Sequence, residues 1–151
     1  MFPVHTQWLY PWTILIIRSA LGVVFIAHGG QKLFGLWGGA GLTETIATFE
    51  RNMGIPPFLT VAAAAVEFFG ALAVLSGFLT RPAALALSIV MLVAIVEAHW
   101  THGFFINWGM VRGRGHGIEF NISLIAMTVG LLLSGPGKFS LDYLFGIEGD
   151  G

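Results

Sequence analysis

Residues 57–79 read PFLTVAAAAVEFFGALAVLSGFL, a stretch that starts at a proline, is apolar almost throughout and carries one ionisable side chain, Glu67. Its length matches the ~20 residues that a helix needs to cross ~30 Å of hydrocarbon. Three further runs of the same kind occupy residues 12–34, 82–100 and 118–133, the last being the shortest. None alternates as a strand would, and lipid cannot satisfy the backbone of an isolated strand, so helices are the assignment for all four. The expected fold is all-α: an integral membrane four-helix bundle forming a single transmembrane domain over residues 1–151.

Composition agrees. Of the 151 residues, 56% are hydrophobic and 10% charged, and the mean hydropathy is +0.82. Soluble domains carry about 25% charged residues, so this chain lacks the material for a polar shell. The lipid bilayer is therefore its first partner. A net charge of -1 with no basic stripe excludes an electrostatic case for nucleic acid. The absence of cysteine removes disulfides, thiolate metal sites, iron–sulfur clusters and dithiol exchange together. The stretch from Met1 to Pro11 has no Lys or Arg, and no small-residue cleavage motif follows the first apolar run, so that run is read as a span rather than a cleaved leader.

Glycine and proline mark the breaks at Gly38-Gly39, Pro56-Pro57, Gly77 with Arg81-Pro82, and Gly135-Pro136-Gly137. Between spans one and two, Thr43 is a candidate cap for a short interfacial helix. Ile46, Phe49 and Met53 would share its apolar face, with Glu44, Glu50 and Arg51 in water. Between spans three and four, Phe104, Phe105 and Trp108 mix with His102, Asn107, Arg112, Arg114 and His116, which reads as a polar and aromatic cap over the bundle.

Each span carries ionisable residues where a membrane helix tolerates them least, and intramembrane charge marks function by default. Antiparallel threading gathers His28, Lys32, Glu97, His99, His102, His116 and Glu119 on one membrane side. Glu67, ten residues past Pro57, lies roughly 15 Å deep, at the floor of a polar funnel.

Three readings of this cluster are open. The plainest is mutual neutralisation: Lys32 or Arg112 with Glu97 or Glu119, and Arg18 with Glu67 or with Asp142 at the surface. A second is a transition metal held by His99, His102, His116 and Glu119, or a haem clasped by His28 and His99. A third is a slot for a quinone, lined by aromatics such as Phe25, Phe68, Phe69 and Trp100, with histidines and carboxylates to move protons. Solute transport is a remoter option, because no inverted repeat or interrupted helix pair is present.

With those residues in place, the chain resembles the DoxX family of small four-helix membrane proteins over roughly Leu15 to Leu144. The carriers are Arg18-x-x-x-Gly22, His28-Gly29-Gly30-Gln31-Lys32-Leu33, Glu67-Phe68-Phe69-Gly70, Gly77-Phe78-Leu79-Thr80-Arg81, Gly117-Ile118-Glu119 and Gly135-Pro136-Gly137-Lys138-Phe139-Ser140-Leu141-Asp142. The polar connection before the fourth span is longer than the family's usual one. The resemblance implies a multi-pass inner (plasma) membrane protein of the oxidoreductase-subunit type. It also implies relatedness to the DoxD-type subunit of thiosulfate:quinone oxidoreductases and to DoxX proteins that assemble with redox-stress partners. It points to Arg18, Lys32, Glu67 and Glu119, with His28 added.

The combined expectation is a quinone-facing subunit with a protein partner in a redox or respiratory complex. Glu67 and Glu119 would accept protons or ligate, Lys32 would be their electrostatic partner and His28 a relay. Arg18, Glu97, His99, His116 and Trp100 would complete the ligand-binding set. The alternative is a non-catalytic accessory subunit that anchors a larger complex.

Overall fold

The structure, a computed structural model, describes residues 8–147. Residues 1–7, which enter the leader argument, and 148–151 lie outside the described residues. Every regular element among the described residues is helical.

Helix α1 (Tyr10–Phe34) begins with a proline in its first turn and stops where Gly35, at φ 68°, turns left-handed and returns its N–H to the Gln31 and Gly30 carbonyls. A 3₁₀ turn (Leu36–Gly38) leads to the amphipathic α2 (Gly41–Met53). The second span is α3 (Pro57–Ser76) and the third α4 (Thr80–His102). The shorter α5 (Glu119–Ser134) follows the long connection, and α6 (Leu141–Leu144) is a single turn. The three longer spans meet the length and hydropathy of membrane-crossing helices. Large apolar side chains such as Val23, Phe69, Ile89, Val96 and Leu133 point outward, as a hydrocarbon solvent requires.

One expectation for α2 is corrected. The helix starts at Gly41 with no side-chain cap, and Thr43 is an exposed residue of its first turn. Thr45 is the buried threonine instead, with its hydroxyl 2.7 Å from the Gly41 carbonyl. Ile46, Phe49 and Met53 do face inward, while Glu44, Glu50 and Arg51 are exposed.

The tightest helix contact is between α1 and α3. A β-carbon built on Gly29 would lie 2.6 Å from the Phe68 amide nitrogen, and one on Gly22 would lie 2.8 Å from the Leu75 β-carbon. Both contacts share one antiparallel register, so the first turns of α3 outrun α1 by about six residues, roughly 9 Å. Helix α2 packs against both in that space. On the far side, α4 and α5 join through Leu87, Met91, Leu124 and Leu131 and a buried hydroxyl pair, Ser88 with Thr128 at 2.7 Å.

The end of the bundle that carries the α3–α4 turn is closed by two buried charges that never meet as an ion pair. Arg18, 1% exposed, donates to the carbonyls of Val74 (2.8 Å), Leu75 (2.8 Å), Pro136 (2.9 Å) and Phe139 (2.7 Å). Asp142 accepts the Leu79 and Thr80 amides at 2.7 and 2.9 Å, capping the start of α4. Ser140 caps α6 through the Tyr143 amide at 3.1 Å. Gly77, at φ 71°, is required here, since a β-carbon would strike the Arg18 guanidinium at 2.4 Å. Arg18 therefore meets neither Glu67 nor a surface Asp142: carbonyls left over at helix and loop ends take its protons, and Asp142 is itself fully buried.

These contacts set a stability contrast. Gly29→Ala should lower stability by about 1–3 kcal/mol, because α1 and α3 must separate. Gly130→Ala, where a β-carbon meets nothing within 4 Å, should be neutral or should stabilise by up to ~1 kcal/mol. Thermal unfolding of both variants in the same detergent checks the pair.

Candidate functional site

A cavity of about 490 Å³ opens between α1, α3, α4, α5 and the connection above them. Its apolar wall comes from Phe25, Met91, Ala94, Ile106, Phe120 and Leu124, with Trp108 among its lining residues. Into this wall are set His28, Lys32, Glu67, His99, His116 and Asn121.

The charged centre is Lys32 with Glu67. The ammonium lies 2.5 Å from Oε1 and 2.7 Å from Oε2, gripping both carboxylate oxygens. Glu67 is 2% exposed and Lys32 27%. Desolvation makes such a pair costly to build and still costlier to halve. The local backbone is unusual as well: Val66–Gly70, which holds Glu67, is a π-helical turn, and so is Ile95–His99 in α4. Single π turns inside α-helices recur at functional sites because the extra residue re-aims the side chains around it. Here the two turns carry two of the ionisable groups of one cavity.

His28 lies one turn before Lys32 on the same face of α1. His99 and His116 have their tautomers set by the backbone. His99 Nδ1 is 2.8 Å from the His116 carbonyl, which only accepts, so Nδ1 holds a proton, and in the neutral ring Nε2 keeps a lone pair. His116 Nδ1 accepts the Asn107 amide at 3.2 Å, so its proton is on Nε2. One acceptor and one donor nitrogen result.

Four expected members stand elsewhere. Glu97 is exposed on the outer side of α4, since residues two apart on a helix never share a face and His99 takes the inner one. Trp100 is exposed and does not line the cavity. Glu119 accepts the Ile106 amide at 3.0 Å and so stitches the connection to the start of α5. Backbone bonds from Gly117, Ile118 and Glu119 to the Phe105, Gly103 and Phe104 carbonyls complete that seam. Arg18 belongs to the other end of the bundle. Lys32 pairs with Glu67 rather than with Glu97 or Glu119.

The metal reading loses its geometry, because among the described residues no three His, Asp or Glu side chains lie close enough to hold an ion. His102 packs against Gly115, where a β-carbon would meet its ring at 2.3 Å, rather than joining His99.

Asn121 is the residue that sequence reasoning missed. It is buried, and its amide nitrogen reaches only the Met91 sulfur at 3.5 Å, a weak acceptor. A lone amide in the apolar fourth run was the available signal; Met91 gave none.

A model of the DoxX family matches residues 13–100, from the first turn of α1 through both π turns. The membrane protein Rv3486 of Mycobacterium tuberculosis is 35% identical over 139 residues, covering 87% of this chain and 80% of its own length. A Bacillus subtilis protein named "Putative oxidoreductase CatD" is 27% identical over 128 residues, with 85% and 83% covered. The inner membrane protein YqjF of Escherichia coli is 29% identical over 131 residues, with 87% and 90% covered. No solved structure matches the chain.

Halving the ion pair should cost far more than deleting it. Glu67→Gln leaves the Lys32 charge without its counterion and should destabilise by about 3–5 kcal/mol, whereas Lys32→Met with Glu67→Leu should recover most of that loss. Unfolding midpoints of the single and double variants decide it.

Proposed function

Because this chain belongs to the DoxX family, we propose that it is an inner-membrane subunit of a redox system whose cavity binds a quinone. The observation that carries this reading is the Lys32–Glu67 pair at one side of a largely apolar cavity, with His28, His99, His116 and Asn121 set in the same lining. The name of CatD supports a redox role, and that of YqjF supports the inner membrane.

The lining fits such a ligand. A cavity of about 490 Å³ falls within the ~300–1,000 Å³ usual for small-molecule sites. Phe25 and Phe120 offer surface for a flat ring. The His116 Nε2 proton and the Asn121 amide suit a ring carbonyl, and the His99 Nε2 lone pair suits a ring hydroxyl. A bound quinone would supply the carbonyl-to-hydroxyl chemistry that no side chain here can.

The chain's own residues would bind, orient and move protons. Glu67, held by Lys32, is the buried proton store, and His28, one turn from Lys32 in the same lining, is the relay. In this reading a redox partner protein delivers the electrons, the chain having no cysteine for dithiol or iron–sulfur chemistry of its own. That makes a redox partner part of the proposal.

Titration of the purified protein with a short-chain quinone, followed through quenching of Trp108, tests this. Saturable binding that weakens about tenfold in His116→Ala and in Asn121→Ala is expected, the loss of one hydrogen bond of roughly 1–1.5 kcal/mol each. Trp108→Phe should remove most of the signal without removing binding measured by equilibrium dialysis. Absence of saturable binding in a folded protein that copurifies with a stoichiometric partner would favour the accessory-subunit alternative.

A further inference from the structure

Lys32 lines two spaces at once. Besides the inner cavity, it borders an outer pocket of about 290 Å³ enclosed by the end of α1, the 36–40 turn and α2. No other residue appears in both linings. The outer pocket differs in character: Gln31, Thr45 and Thr48 contribute side chains and Gly38, Gly39 and Ala40 contribute backbone, with Phe49 as the aromatic member. It sits beneath α2, whose outer face carries the exposed Glu44, Glu50 and Arg51, so it adjoins the wet side of the interface.

Two protons of the Lys32 ammonium are engaged by the two Glu67 oxygens. Its nitrogen also lies 5.8 Å from the centre of the Phe49 ring, on the α2 side. Glu67 is sealed at 2% exposure, whereas Lys32 keeps 27%. Lys32 stands between the outer pocket and Glu67, and both side chains of the pair also line the inner cavity.

We propose that this arrangement is a proton entry: water in the outer pocket supplies protons to Glu67 through the Lys32 amine. In the transfer, one Nζ–H bond breaks and one Oε–H bond forms. This converts the charged pair into a neutral amine and a neutral carboxylic acid, and the sum of the two charges stays zero. The carboxylic acid then gives its proton to an acceptor in the cavity, and the amine takes another from water on its outer side. The first transfer keeps the pair at zero net charge, and donation to the acceptor followed by reprotonation of the amine returns it to zero, so no uncompensated charge persists in the membrane interior, which is what makes a Lys–Glu pair suited to the task. The use of those protons at the inner cavity rests on the quinone reading above; the route itself does not.

The natural absence of cysteine allows a clean test. In the Glu67→Gln background, which removes the orphaned carboxylate, Lys32→Cys should react with a small charged methanethiosulfonate reagent added in water. Thr48→Phe, which fills the outer pocket, should slow that reaction by about tenfold or more, equivalent to ~1.4 kcal/mol in the rate. His28→Cys, on the inner cavity alone, should be unaffected by Thr48→Phe, and Thr48→Val should change neither. Ala40→Trp, at an exposed position of the same pocket, is the second blocking variant should Thr48→Phe fail to fold.

With Lys32 and Glu67 intact, dithionite reduction of bound short-chain quinone should take up protons about tenfold more slowly in Thr48→Phe at unchanged quinone affinity. An unreactive Lys32→Cys, or thiol and proton rates indifferent to both blocking variants, would overturn the route. Failure of the wild-type protein to bind quinone would instead defeat the cavity reading, and the thiol rates alone would then judge the route.

Discussion

The fold turns on how closely α1 and α3 approach. At Gly22 and Gly29 there is no room for even a methyl group between the helices. Membrane helices associate without a hydrophobic driving force, so this backbone-to-backbone packing is what holds the pair. Its register brings Lys32 beside Glu67. It also closes one flank of α1, which leaves the polar face of that helix to look toward α4 and α5, where the cavity lies. A one-residue slip would separate the ammonium from its carboxylate and leave two charges in hydrocarbon.

The two ends of the bundle solve the same problem by different means. A buried charge needs partners, and Arg18 takes four carbonyls while Asp142 takes two amides. Every group in that knot also ties helix ends together, and neither cavity described above reaches it. At the opposite end, Lys32 and Glu67 satisfy each other but stay in contact with open space on both sides. The first arrangement locks the polypeptide, and the second, in the route proposed above, keeps its protons exchangeable. Several motifs that resemble the DoxX pattern, including Arg18, Gly77, Ser140 and Asp142, therefore belong to the scaffold rather than to the chemistry.

The sequence was most informative where physics constrains length and side. Hydrocarbon thickness made the four apolar helices legible to within a few residues, and antiparallel threading brought His28, Lys32, His99 and His116 to one end with Glu67 below them. Rotation about each helix axis was less legible. Glu97 and His99 were both expected inward, although their spacing of two already opposed it. The two π turns leave no trace in composition or periodicity, and they decide how Glu67 and His99 face. The fates of Arg18 and Glu119 were hidden for a further reason: their partners are backbone atoms of distant loops, and no residue type announces a free carbonyl or amide.

The central claim is that this cavity holds a quinone against the Lys32–Glu67 pair. Gentle purification in mild detergent, followed by solvent extraction and chromatography of the lipophilic fraction with the visible spectrum recorded beforehand, tests it most directly. The account predicts about one quinone per chain, sharply reduced in a folded variant carrying Lys32→Met with Glu67→Leu, and no haem bands. A quinone-free protein, a haem spectrum, or a quinone content indifferent to that double substitution would contradict it.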